Sequence, residues 1–335
     1  MPSKYRPARL RSCVLAAVLA LCALSTPASS ADGVPAGRLV AEVPRVAVTD
    51  QAARAIVVLD PEQIRTYLAG RRRVGYWSWS ADDDLSLARL SPGRSWTNPS
   101  EAKTRSLDGS QYLLTTASGG LAAVVRYPDG KVRWAANTGA GNAHSIELMP
   151  DGNVAVTSTT PGTVRLYTAS QGSRSTAYTS YRLPGAHGVH WDPASQRLWA
   201  LGANQLISFG ITGTPASPHL VPDGAVTLPT SGGHDLAPVL TQPGRLWVTT
   251  SSKVYQYDLA KKEFVGYPDQ ASISRKDVKS ISDEPVTRQV LTAMPEPGNP
   301  CSWCTSTLTF HSPDYTRRLD GIQLYKARWW TTQRR

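Results

Sequence analysis

One pattern limits what this chain can fold into. Six times, a short β-rich run is followed across a few small or polar residues by a second such run. The pairs are Arg45–Asp50 with Ala55–Asp60, Tyr112–Ala117 with Leu121–Tyr127, and Asn153–Ser158 with Thr163–Thr168. Then come Arg197–Leu201 with Gln205–Phe209, Arg245–Thr250 with Lys253–Asp258, and Gln289–Met294 with Ser306–His311. Connections such as Ser118-Gly119-Gly120 and Gly202-Ala203-Asn204 have hairpin chemistry. From the second unit onward the first run recurs roughly every 42 to 48 residues, the spacing of four-stranded propeller blades. A further candidate strand precedes each of these hairpins: Lys103–Leu107, His144–Met149, His187–Trp191, His234–Val239 and Lys279–Ile281. A fourth follows: Val132–Ala136, Ala177–Arg182, Leu220–Leu228, Glu263–Gly266 and Ile322–Trp329. Glycine and proline together number 51 and no sustained 3.6-residue period is visible, which argues against a helical fold. The reading is all-β: a six-bladed propeller of four-stranded antiparallel blades, strands A to D running outward from a central channel.

The first unit breaks the period. Its hairpin precedes the next by 66 residues, about 20 more than the repeat needs. The excess lies between Ala69 and Ser100 and carries Arg71-Arg72-Arg73, Trp77-Ser78-Trp79 and Asp82-Asp83-Asp84. Trp77–Trp79 reads as the fourth strand of blade one and the remainder as a long surface loop. Two segments compete to close the ring, Arg38–Val43 or the C-terminal strand ending at Trp330.

Alignment on the hairpins brings Lys103, His144, His187, His234 and Lys279 into one column at the start of strand A. In a propeller that position faces the channel mouth. Three imidazoles would then line half of the mouth with a lysine on each side, and alternation would place Ile146, Val189 and Leu236 on the histidine face. Neutral imidazoles are candidate ligands for a divalent metal. Beside cationic lysines they also suit general-base work. Lysines could neutralise a carboxylate while His or Tyr takes the adjacent proton, as in β-elimination from a uronic acid. Trp77 and Trp303 are candidates for stacking on sugar rings; Trp303 should share the histidine face. His190 reads as a packing residue, His219 and His311 as surface, Trp199 and Trp247 as inter-blade core. The Asp82–Asp84 run lacks the alternating ligands of a calcium loop and reads as a solvated turn. No phosphate-binding glycine loop, Gly-x-Ser-x-Gly elbow or zinc-protease helix is present.

Outside the repeat, residues 1–31 combine Lys4, Arg6, Arg9 and Arg11 with an apolar run from Cys13 to Leu24 and a small-residue end at Ala31. This predicts a secretory signal, leaving 32–335 as the propeller domain. The apolar run is too short to span a bilayer. The segment holds four basic residues and no acid, so the net charge falls from +11 to +7 without it. That excess favours anionic partners but does not point to nucleic acid. Cys13 and Cys22 fall in the signal. Cys301 and Cys304 remain, and outside the cell they predict one local disulfide in place of a redox pair or half a zinc site.

The stretch from Gly233-His234 to Tyr257-Asp258-Leu259 resembles a Trp-Asp-type propeller repeat. There the histidine bonds within its own blade, so that resemblance implies a structural role. In outline the His-rich mouth is similar to propeller lyases that act on acidic sugars and hold a metal with several histidines. Val46–Asp50 with Ile56–Asp60, Trp77-Ser78-Trp79, the small-His starts and the Cys301–Cys304 segment also resemble a family of secreted bacterial propellers of uncharacterised function, common in actinomycetes. That likeness implies location and fold and no activity. Two functions are expected. One is a secreted lyase-like enzyme on an acidic or polyhydroxylated glycan, with an unidentified cofactor that a divalent metal could supply. The other is a non-catalytic binding propeller for a wall glycan or protein. No membrane insertion, no nucleic-acid partner and a monomer are expected.

Overall fold

The computed structural model describes residues 44–60 and 76–331. They form six four-stranded antiparallel sheets in a ring, a six-bladed β-propeller. The blades of units two to five follow the expected order. Their inner strands A are Pro99–Leu107, Ala143–Leu148, Gly188–Asp192 and Leu236–Pro238; that of unit six is Ser280–Asp283.

Blade one is composite. Its innermost strand is Leu324–Trp330, paired antiparallel with Arg45–Asp50, followed outward by Ala55–Leu59 and Trp77–Trp79. The C-terminal strand therefore closes the ring, and Arg38–Val43 lies outside the described residues. This corrects the assignment of Ile322–Trp329 as the fourth strand of blade six, a place taken by Tyr315–Arg318. Pairing the two ends of the chain in one sheet satisfies backbone groups that an open edge would leave exposed.

Alternation along each strand sends apolar side chains between blades. Six apolar clusters result, one at each blade interface. Val57, Leu291 and Phe310 seal six against one; Leu113, Leu121 and Trp96 seal one against two. Leu114, Trp134 and Ile146 lie between two and three, Leu166, Val189 and Phe209 between three and four. Trp199 and Leu236 fill the next, and Trp247 and Ile281 the last, as expected of both tryptophans. Each such side chain contributes about 1.5–3 kcal/mol on burial.

The segment after Trp79 is not a loose surface loop. It folds into short helical turns at Ala81–Asp83, Leu85–Leu90 and Pro92–Ser95, with Leu87, Leu90 and Trp96 buried. The acidic run has local duties: Asp84 caps the turn through the Ser86 N–H, and Asp82 takes two hydrogen bonds from Arg54. Residues 1–31, with the expected signal, lie outside the described part. Among the described residues no helix is long and apolar enough to cross a membrane.

Candidate functional site

The column at the head of strand A is real, with one member misplaced and one missed. In blades one, two and three the pairing of strand A with strand B shifts at Tyr325, Ser100 and His144. Each irregularity leaves one residue outside the ladder and turns the strand locally. The residues in register are Tyr325, Ser100, His144, His187, His234 and Lys279, one per blade. Lys103 lies three residues further along its strand. It is buried in the channel, where Nζ donates to Ser145 Oγ, Ile146 O and Val189 O, so it does not flank the mouth. The expected alternation also fails. The residues immediately after the column (Lys326, Glu101, Ser145 and Asp235) also face the channel, and Ile146, Val189 and Leu236 turn into the blade interfaces.

The three histidines converge. His144 stacks on His187 with ring centroids 4.2 Å apart, and His187 lies 4.6 Å from His234. Tyr325 completes the cluster from across the channel. Its hydroxyl is 3.0 Å from His234 Nε2 and 3.5 Å from His144 Nδ1. His234 thus bonds to a different blade, unlike the within-blade histidine of a Trp-Asp repeat. His187 Nδ1 lies 3.2 Å from the Gly185 carbonyl, which can only accept, so Nδ1 carries the proton and Nε2 keeps the lone pair.

Above the cluster opens a cavity of about 440 Å³. Gln51, Asn98, Ser118, Asn142, Lys279 and Trp303 line it together with the three histidines and Tyr325. No aspartate or glutamate is among these lining residues. Asp277, half exposed, stands 4.0 Å from Lys279 Nζ. Trp303 is here as expected, but Trp77 is not. It packs on Tyr127 and Trp330 and donates its indole N–H to Pro128 O.

Beneath the cluster the channel is filled with paired charge. Arg328 donates to Glu101 at 2.7 and 3.1 Å and to Asp235 at 2.6 and 3.1 Å. Lys326 reaches the same two carboxylates at 3.3 and 2.9 Å. Deeper still, Arg105 forms a two-point pair with Glu147 at 2.7 and 2.6 Å. His190 stands 3.6 Å from Glu147, facing the channel in place of the expected packing role. Burial opposes ionisation of Glu101, but Arg328, Lys326 and Lys103 outweigh it and hold its carboxyl well below the usual range.

Electrostatics separates the two layers. Burial, with the charges of His187 and Lys326, pushes His144 well below its ordinary pKa. Burial and Lys326 bring His187 down to about 4. His234 falls well below its ordinary value from burial, His187 and Lys279. All three imidazoles are neutral at pH 7. Burial, Asp235 and Glu101 raise Tyr325 well above 10, so it keeps its proton.

Neutral imidazoles can ligate a metal, yet among the described residues no group of three His, Cys, Asp or Glu is placed to hold one. His144 and His234 each turn a ring nitrogen toward the Tyr325 hydroxyl instead. Cys301 and Cys304 form the expected disulfide. Of the remaining histidines, His219 is exposed, but His311 is buried and bonds Thr292 Oγ1 at 3.0 Å, against the surface expectation. Tyr325 escapes a reading that gives its strand to blade six; as strand A of blade one, Leu324-Tyr325-Lys326-Ala327 falls into the column.

A solved structure of a protein of unknown function from Bacteroides caccae is similar to this chain with TM-score 0.54 and 10% identity. The match covers 85% of this chain and 98% of that one. A virginiamycin B lyase from Staphylococcus aureus matches at TM-score 0.43 and 12% identity, over 67% of this chain and 85% of that one. The first likeness speaks for the fold alone, and nothing is drawn from the second. No curated protein matches the sequence. Residues 10–334 match one family along nearly their whole length, and the chain belongs to it: DUF6528, a family of unknown function.

Proposed function

We propose that the channel mouth binds a carboxylate-bearing, polyhydroxylated ligand of the uronic-acid type and transfers a proton on it. The observation that carries this reading is the cavity's lining. Neutral imidazoles, amides, two hydroxyls, an indole and one cation surround it, without a carboxylate among them. Lys326 below is paired with Glu101 and Asp235, which leaves Lys279 as the cation that faces the cavity. An anion entering this mouth meets Lys279 and donors for its hydroxyls.

The chemistry follows from which atoms hold protons. Lys279 pairs with the ligand carboxylate and acidifies the adjacent carbon. His187 Nε2, with its lone pair free by tautomer, takes the proton from that carbon. The electron pair of the broken C–H bond becomes a C=C bond, and the C–O bond to the departing sugar breaks. Tyr325, still protonated, supplies a proton to the leaving oxygen, and His234 and His144 stand beside it to pass one back. The net change moves one proton from carbon to oxygen. A bound carboxylate also raises the pKa of His187, which improves it as a base.

Calorimetric titration of tri(galacturonic acid) against its neutral methyl ester tests the binding. The ultraviolet absorbance of an unsaturated uronate tests the reaction. Binding of the acid alone, with growing absorbance, is the expected result. Equal affinity for acid and ester would overturn the anion reading. Binding without absorbance would reduce the site to a non-catalytic receptor.

A further inference from the structure

The six loops joining strands B and C open on the histidine face. Five are three or four residues long, from Gln51–Arg54 to Thr250–Lys253, but that of blade six runs from Met294 to Ser306. An insertion at one blade, over one mouth, gives an otherwise repetitive ring a preferred side.

This loop is fastened at every level. The Cys301–Cys304 disulfide closes its tip, and Cys304 is fully buried. Glu296 Oε1 accepts from the Ser306 N–H at 3.0 Å, from Ser306 Oγ at 2.8 Å and from Asn299 Nδ2 at 3.2 Å, locking the two ends together. Thr305 and Leu324 exchange two backbone hydrogen bonds of 2.9 Å, which ties the loop to the residue preceding Tyr325. Between the two cysteines stands Trp303. Its indole N–H donates to Gln51 Oε1 at 2.9 Å, and Gln51 is itself held by Pro99 O. Trp303 nonetheless remains 44% exposed and lines the histidine cavity. Among the described residues no other ring packs on it. A large aromatic fixed at its edge, with its body left to solvent, is poised to contact a ligand.

We propose that the blade-six loop is a disulfide-clamped arm that presents the Trp303 indole to the ring of a bound sugar acid, so that the mouth prefers cyclic uronates to open-chain acids. This deepens the reading of the mouth as a uronate site and rests on it. The pyranose form offers a flat apolar C–H face. An open-chain diacid offers the same carboxylate and hydroxyls without that face. Lys279 serves both ligands; Trp303 serves only the ring.

The test uses the full chain with two probes, tri(galacturonic acid) and open-chain galactarate. Trp303→Ala is expected to weaken the trisaccharide roughly tenfold and leave galactarate unchanged, with Trp303→Phe restoring most of the loss. Lys279→Met should weaken both. The Cys301→Ser/Cys304→Ser double variant, which keeps the indole but opens the clamp at the arm's tip, should weaken the trisaccharide in the same direction as Trp303→Ala and leave galactarate unchanged. In 5-fluorotryptophan protein its Trp303 fluorine resonance, assigned by loss in Trp303→Phe, should move or broaden. If both probes bind and Trp303→Ala weakens neither, or both equally, the arm is overturned and the mouth reading stands. An unmoved resonance in the double variant overturns the clamp. If the wild-type protein binds neither probe, the mouth reading falls and the arm with it.

Discussion

Two successive layers of the same inner strands behave in opposite ways. The upper layer holds His144, His187, His234, Lys279 and Tyr325, a neutral cluster and one half-buried cation open to a cavity. The layer directly below holds Glu101, Asp235 and Lys326, with Arg328 next along its strand, in mutual contact and almost fully buried. Neighbours in sequence such as His234 and Asp235 thus belong to different regimes. Where charge meets countercharge in the buried channel, it is satisfied by the protein and has nothing left for a ligand. Where open space remains, donors and a cation are still available. An ionisable column across blades marks a site only when its own layer does not neutralise it.

Substitutions in the lower layer should produce the largest effects. Arg328→Met leaves Asp235 with Lys326 alone and Glu101 with Lys326 and Lys103, and should cost about 3–5 kcal/mol in urea denaturation. A loss near zero would mean that the buried pairs are structurally idle, and the contrast between the layers would collapse.

Acid should act next. His187 at the mouth and His190 in the channel are both held near pKa about 4 in the folded chain, chiefly by burial. Unfolded, each titrates near 6.5, so between these values the unfolded state binds more protons. Their contribution is therefore complete above about pH 6.5 and is lost as pH falls through about 4. Denaturation midpoints recorded from pH 7.5 to 4 should decline over that window. A bound uronate should lift the imidazole pKa of His187 and leave His190 alone. Equal movement of both would erase the distinction between the layers.

Tyr325→Phe sharpens the comparison at the boundary. It removes the hydroxyl shared by His234 and His144 and should cost about 1–3 kcal/mol. It should also abolish unsaturated-product formation while affinity for the acid stays within a few-fold. Loss of affinity with turnover intact would place the hydroxyl on the ligand and remove it from the proton path.

The smallest structural effect belongs to Lys279→Met. Its melting curve should shift by no more than about 0.5 kcal/mol. Affinity for the acidic trisaccharide should fall about tenfold and affinity for the neutral ester should not. A large stability loss would assign Lys279 to the scaffold.

Much of this was legible before the fold was known, because a repeat reports each position six times. The number and order of strands in blades two to five, the convergence of the three histidines and the place of Trp303 all follow from hairpin spacing, while strand ends such as Pro99 and Thr214 do not. The errors share physical causes. Lys103 was placed at the mouth because the strand irregularity at Ser100 hides three residues of offset, and a bulge has no composition of its own. The irregularity at His144 likewise turns Ile146 into the blade interface. Tyr325 stayed hidden because ring closure pairs residues some 280 positions apart, which no local pattern encodes. The turns between Ala81 and Ser95 are too short to show a helical period, although Leu87, Leu90 and Trp96 supply an apolar face.

The most direct test of the mouth as an anion site follows imidazole ¹⁵N resonances during titration with tri(galacturonic acid) at pH 7. His144, His187 and His234 should start neutral and shift together to saturation, while His190 and His219 stay in place. Saturable binding that leaves those three resonances unmoved would put the ligand elsewhere and contradict the assignment.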